Sequence, residues 1–248
     1  MRLICTDMFL HTTNYKLSMN TKPMMTIDGR RCQIHQNGVG GPVVFCAMSL
    51  RGGDEADRLS AWINALVAQI SYTLFVFDTA EWADDCSPWA AETSDTHFGG
   101  KGGETLWWLL NCAIPAVNET MGTSDARYLA GYSLAGLFSL WALYVTDAFA
   151  GAASCSGSLW FPGWEEFASE HRVMRKQSRV YLSLGGKEAK TSNPLIATVE
   201  EKTKAQLASL ANDNHVAQTV LEMNPGGHFS KPEERTAKGI AWLLSAGK

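Results

Sequence analysis

The chain has 248 residues, of which 46% are apolar and 19% charged, and its formal net charge is −4. That length and balance suit a soluble globular domain with a full core, and no Lys/Arg cluster offers an electrostatic footprint for nucleic acid. No apolar stretch approaches the roughly 18–20 residues of a membrane span, and the mild acidity argues against anionic membrane surfaces.

The N-terminus, Met1-Arg2-Leu3-Ile4-Cys5-Thr6-Asp7, breaks its apolar run with charge at once. That is unlike a signal peptide and points to a cytoplasmic protein. The six cysteines, Cys5, Cys32, Cys46, Cys86, Cys112 and Cys155, include no CxxC pair. Free thiols are therefore expected, with no metal site and no cofactor. Residues 1–40 are expected to form an N-terminal arm or an edge hairpin, with polar–apolar alternation from Arg31 to Gln36 and a turn at Asn37-Gly38. Val43 to Met48 is unbroken in its apolarity and reads as a central strand.

Ser49 to Gly53 is a loop, after which Asp54 caps a helix reaching about Ile70, with Leu59, Trp62, Ile63 and Leu66 on one face. Tyr72 to Phe77 is the next strand, ending at Asp78. Thr79 to Gly103 reads as one long irregular stretch rich in Trp, Asp, Ser and Gly. Segments of that kind often wall or cover a site, although Trp82, Trp89 and Phe98 are also what an anchor to the body would use. Glu104 to about Met121 reads as a long helix, and the polar Thr123-Ser124-Asp125 opens a short buried strand, Arg127 to Ala130. A buried helix over Leu137 to Tyr144 ends at Asp147-Ala148-Phe149, and a strand of small residues, Gly151 to Ser156, leads into Gly157 to Trp164. Strands at Arg179–Leu184 and Val216–Met223 alternate with helices at Pro194–Asn212 and Lys231–Ala246. Such alternation describes an α/β fold, a mostly parallel central sheet with helices on both faces, in a single domain over 1–248.

The strand and helix around residue 133 enclose Gly131-Tyr132-Ser133-Leu134-Ala135-Gly136. A serine on so tight a strand-to-helix turn, with small residues two before and two or three after, is a nucleophile elbow. Side chains larger than methyl would collide there because the two backbones nearly touch; Ala135 stands where glycine is usual. A serine hydroxyl needs a base, and the base an orienting acid. On an elbow of this kind they follow in the order Ser, acid, His. Glu188 comes off the turn Gly185-Gly186-Lys187 after a strand, and His228 lies in Asn224-Pro225-Gly226-Gly227-His228-Phe229 before the last helix. His97 is misplaced in chain order for the base, and His11, His35, His171 and His215 are weaker still. The oxyanion hole needs two backbone N–H groups. One is expected from Leu134, at the N-terminus of the elbow helix, and the second from the loop after the central strand, at Leu50 or its neighbour Ser49.

The chain resembles the esterase branch of the α/β hydrolases that takes in siderophore (ferric enterobactin) esterases and the esterase D or S-formylglutathione hydrolase type. The likeness runs from about Gly41 to the end. Its residues are Gly131 to Phe138, the serine-rich Ser154-Cys155-Ser156-Gly157-Ser158-Leu159-Trp160, then Gly185 to Glu188, and Gly227-His228-Phe229. The resemblance implies the α/β-hydrolase fold and a cofactor-free serine hydrolase, with Ser133 as nucleophile, His228 as base and Glu188 in the acid's place. Some such enzymes are Ser–His dyads, so the acid's role stays open. Met48-Ser49 replaces the histidine-glycine motif usual after the central strand.

The expectation is a carboxylic ester hydrolase that forms an acyl-enzyme on a small-molecule ester with an apolar or aromatic portion, walled by Trp89, Trp160 and Trp164. The alternatives are a thioesterase or acyltransferase with the same triad, or a catalytically silent protein of this fold that binds a ligand or partner. Nothing in the sequence fixes the oligomeric state.

Overall fold

A computed structural model describes residues 24–121, 124 and 126–245. The first 23 residues of the expected arm, with Cys5 and His11, lie outside the described residues, as do Thr123, Asp125 and the end of the closing helix at Ala246. From position 25 the chain forms an edge hairpin, β1 (Met25–Ile27) paired antiparallel with β2 (Arg30–Asn37). Then come β3 (Val43–Met48), α1 (Glu55–Val67) and β4 (Tyr72–Asp78). A cap segment holds the short α2 (Trp82–Asp85) and a second hairpin of β5 (Ala90–Glu92) and β6 (His97–Gly99). The body resumes with α3 (Gly102–Trp108), α4 (Ile114–Met121), β7 (Arg127–Tyr132), α5 (Leu134–Val145), β8 (Gly151–Cys155) and α6 (Trp164–Glu170). It closes with β9 (Ser178–Gly185), α7 (Val199–Asn212), β10 (Val216–Asn224) and α8 (Pro232–Leu244).

The main sheet runs in the order β1-β2-β4-β3-β7-β8-β9-β10. Its strands from β4 to β10 are parallel, with β2 joined antiparallel to β4. The unbroken apolar runs of β3 and β4 follow from this placement, because helices cover both faces and leave no side of a strand for polar residues. Val44, Cys46, Leu74 and Val76 pack on one face with residues of α1 and α8, and Phe45, Phe75 and Phe77 on the other with residues of α3, α4 and α5. In register, Gly131 of β7 faces Ala47 of β3 and Ser154 of β8, while Gly185 of β9 faces Asn224 of β10. The carboxyl ends of these strands thus come level on one edge, where open α/β sheets place their ligands.

Four local features depart from the expected elements. In α1 the buried residues are Ala56, Leu59, Ser60, Ile63 and Val67, whereas Trp62 and Leu66 stand exposed on the flank. Asp54 does precede that helix, but its carboxylate pairs with Arg58 instead of bonding a backbone amide. The long helix after Gly103 is split by a π-helical turn at Leu109–Ala113. Pro115, just beyond, has no N–H to donate and its ring would crowd the carbonyl four residues back, which a widened turn accommodates. The segment 79–103 is not irregular: its hairpin is fastened by Phe98, which meets Trp82, Trp160 and Phe161 edge-on or tilted.

At the elbow the backbones of β7 and α5 approach closely. A Cβ on Gly131 would lie 2.4 Å from the Ala135 carbonyl oxygen and 2.8 Å from the Ala135 Cβ. Because Ala135 occupies the position where glycine is usual, the burden of the close approach falls on Gly131. Gly131→Ala is expected to lower the melting temperature by at least the equivalent of ~1–3 kcal/mol of overpacking. Gly103→Ala, in α3 with nothing within 4 Å of its Cβ, is expected to be neutral or stabilising by up to ~1 kcal/mol. Thermal unfolding of both variants checks this; equal melting points would remove the steric account of the elbow.

Candidate active site

Ser133 has φ 60° and ψ −123°, a conformation that costs a non-glycine residue on the order of 1–3 kcal/mol and persists only where the surroundings over-determine it. Here they do. The Ser133 N–H donates to the Cys155 carbonyl at 3.0 Å, and the Ser133 carbonyl accepts from Gly136, Leu137 and Ser158 amides at 3.0, 3.1 and 3.1 Å. The turn lifts Oγ off the end of β7 and points it at His228, whose Nε2 lies 3.0 Å away. The other ring nitrogen, Nδ1, lies 2.8 Å from Glu188 Oε2. A carboxylate only accepts, so Nδ1 carries the proton and Nε2 is left free to accept from Ser133.

The second oxygen of Glu188 is fully engaged. Oε1 accepts from the Gly185 amide at 2.6 Å, Ser156 Oγ at 2.7 Å and Arg235 Nη1 at 2.9 Å. Gly185 is required here for space: an added Cβ would meet the Gly226 carbonyl, Glu188 Oε1 and Arg235 Nη1 at 2.6, 2.8 and 2.9 Å. Burial by itself pushes the Glu188 carboxyl up, but hydrogen bonds from His228, Ser156 and the Gly185 amide outweigh it and hold the group below the usual carboxylate range. Tyr132 completes the frame, donating its hydroxyl to the His228 carbonyl at 2.5 Å.

The structure therefore brings Ser133, His228 and Glu188 into one hydrogen-bonded line. Leu134 is buried as the first residue of α5, where helix N–H groups lack intrahelical partners. Leu50 must be corrected. Its amide donates to Asp78 Oδ1 at 3.0 Å, and Asp78 is itself fixed by Arg31, so this N–H is turned into the protein. The amide of its exposed neighbour Ser49 has no such partner among the described residues. Trp164 is also corrected: it is buried, packed on Tyr144 and Phe167, with its indole N–H donated to Gln206. That makes it a core residue, and the cavity it borders with Lys202 and Gln206 includes none of Ser133, Glu188 and His228. Trp89 and Trp160 are half-buried; Trp89 packs on Phe161 and Phe167 and donates to the Pro162 carbonyl at 2.9 Å. His97 pairs with Glu92 on the cap hairpin.

Four residues of the site carried no sequence reading of their own. Ser156 and Ser158 lie in the serine-rich segment, and Ser158 Oγ comes within 3.3 Å of Ser133 Oγ. Tyr132 sits inside the elbow itself. Arg235 is one charge among several at the start of α8, and nothing in its spacing separates it from Glu233 or Glu234.

A carboxyl held low in the folded state contributes stability that is fully present above its ordinary value of about 4.5 and is lost as pH falls through the lower folded value. The stability gap between the wild type and Glu188→Gln is accordingly expected to be widest above that value and to close on acidification. Denaturant unfolding from neutral pH down to about pH 3 reads it out, and a gap independent of pH would contradict the assignment.

Among the described residues no group of three or more His, Cys, Asp or Glu side chains is placed to hold a metal ion, and no helix is long and apolar enough to cross a membrane. The profile of the family described as "Putative esterase" matches residues 28–231. The chain is 32% identical over 175 residues to "Uncharacterized protein YbbA" of Bacillus subtilis (strain 168), covering 66% of this chain and 70% of that one. An IroE-like serine hydrolase from Shewanella oneidensis superposes with a TM-score of 0.73 at 18% identity, over 87% of this chain and 75% of its own. The siderophore hydrolase EstA from Aspergillus nidulans superposes with a TM-score of 0.71 at 14% identity, over 95% of this chain and 100% of its own. The structural likenesses show a shared α/β-hydrolase fold, and with a profile that spans most of its length the chain belongs to the "Putative esterase" family and is an esterase.

Proposed function

We propose that this esterase cleaves small-molecule carboxylic esters through an acyl-enzyme on Ser133. The observation that carries the reading is the line Ser133 Oγ–His228 Nε2–Glu188 Oε2, with spacings of 3.0 and 2.8 Å. Ser133 attacks the ester carbonyl while its proton passes to His228 Nε2. Glu188 holds the Nδ1–H tautomer and stabilises the imidazolium that forms. The oxyanion is received by the Leu134 N–H at the head of α5, where the helix dipole also favours negative charge. Ser49 supplies the second N–H. The imidazolium then returns its proton to the departing alcohol, and a water repeats the sequence to release the acid. No cofactor enters any step.

Trp160 follows Ser158 by two residues and, with Trp89, is proposed to face the apolar portion of the ester. These indoles make an ester with an aromatic acyl group a natural member of the test panel. Among the described residues Cys32, Cys46, Cys86, Cys112 and Cys155 form no disulfide, which suits a reducing, cytoplasmic setting.

Ser133→Ala is expected to fold as the wild type does and to lose activity by on the order of 10⁴-fold or more. A fluorophosphonate should label the native wild type at Ser133 and neither the denatured protein nor the variant. Glu188→Gln keeps the length and loses the charge, so kcat is expected to fall by about 10²–10⁴-fold with KM little changed. An unchanged kcat in Glu188→Gln would make the enzyme a dyad, and retained turnover in Ser133→Ala would end the serine mechanism. Trp160→Ala is expected to alter the preference among ester chain lengths by several-fold; an equal rate loss for every ester, with a lowered melting temperature, would return Trp160 to the packing of the cap.

A further inference from the structure

Arg235 is the most deeply engaged charge near the site. It lies in the first turn of α8, is only 2% exposed, and spreads one guanidinium over five oxygens. Nη1 donates to Glu188 Oε1, the Tyr132 hydroxyl and Ser156 Oγ at 2.9, 3.0 and 3.2 Å. Nη2 donates to the carbonyls of Pro225 and Gly227 at 2.8 and 3.1 Å. The first set belongs to the acid and its frame, the second to the loop that ends in His228. A planar fork of donors can bridge these two groups at fixed spacing, which a single ammonium cannot.

We propose that Arg235 is a positioning residue of the active site, clamping the carboxylate of Glu188 and the Pro225–Gly227 backbone together so that His228 Nδ1 and Glu188 Oε2 stay in line. This rests on the serine-hydrolase reading above. The clamp acts through geometry and through charge. Glu188 and neutral His228 together carry one negative charge, and the guanidinium opposes their taking up a proton wherever that proton settles. The other titratable groups around the cluster do not duplicate this. Tyr132 on β7 and Cys155 on β8 are kept neutral, burial raising both. On the rim, Lys231 pairs with Glu234, Lys238 with Glu222 of β10, and Arg58 of α1 with Glu233, while Lys187 adjoins Glu188 on the exposed side of its turn.

The test uses the whole protein and a p-nitrophenyl ester, with wild type, Ser133→Ala, Arg235→Lys and Arg235→Gln compared. Rates are expressed per active site titrated with a fluorophosphonate, so that loss of folded protein does not count as loss of turnover. Arg235→Lys keeps the charge and loses the fork; its kcat is expected to fall by about 10-fold with KM within about threefold and the acid limb of kcat/KM in place. Arg235→Gln loses both; its kcat is expected to fall by about 10²-fold and its acid limb to move up by about one pH unit. If the glutamine variant yields no titratable sites, the lysine variant decides alone. Turnover per site within about twofold of wild type in a titratable variant, or an unmoved acid limb in Arg235→Gln, overturns the proposal and leaves Arg235 a structural residue. Full activity in Ser133→Ala would instead overturn the serine reading on which it rests.

Discussion

A carboxylate removed from water must have its charge met by donors, or it takes up a proton instead. Glu188 is met on one oxygen by three donors from three parts of the fold: the Gly185 amide at the end of β9, Ser156 just past β8, and Arg235 on α8. That leaves the other oxygen a single direction in which to act, toward His228. The ends of β8 and β9 and the start of α8 are brought to one point by this requirement. A buried ion pair of this kind is weak support for stability, because desolvation offsets most of the attraction. Its worth lies in fixing a geometry.

The strain at Ser133 is the counterpart of that fixed acid. Four backbone hydrogen bonds tie the residue to β8, to α5 and to Ser158, so the unfavourable φ is held by elements buried on both faces of the sheet. The same bonds place the serine-rich segment beside the nucleophile. From there an aromatic cluster of Phe98, Trp160, Phe161, Trp89 and Phe167 runs outward into the cap. The rigid elbow and the 79–103 segment are thereby one packed unit, although they are far apart in sequence.

Much of this was legible in the residues themselves. Unbroken apolar runs located β3, β4 and β7 because a strand covered on both faces has no other composition open to it. Ser133, Glu188 and His228 were found from chain order and from the glycines around them. What stayed illegible depended on which way a group turns. Leu50 and Ser49 are adjacent and equally placed by sequence, and only Asp78, arriving from the next strand, decides that the Leu50 amide points inward. Trp164 has the composition of a pocket wall, yet it packs on Tyr144 and Phe167 in the core and donates to Gln206. Arg235 lies in a run of charges that reads as a solvated helix face. Its burial comes from the sheet edge beneath it, which no local pattern records.

The proposed reaction moves one proton along the line from Ser133 to His228 and creates one negative charge beside Leu134. Glu188 and Arg235 cancel each other before the substrate arrives, so the site begins near neutrality and acquires a positive imidazolium and a negative oxyanion together. Each new charge then has its own compensation, the carboxylate for one and the head of α5 for the other. The acid is balanced by Arg235, a buried residue of α8 that meets the Glu188 oxygen turned away from His228.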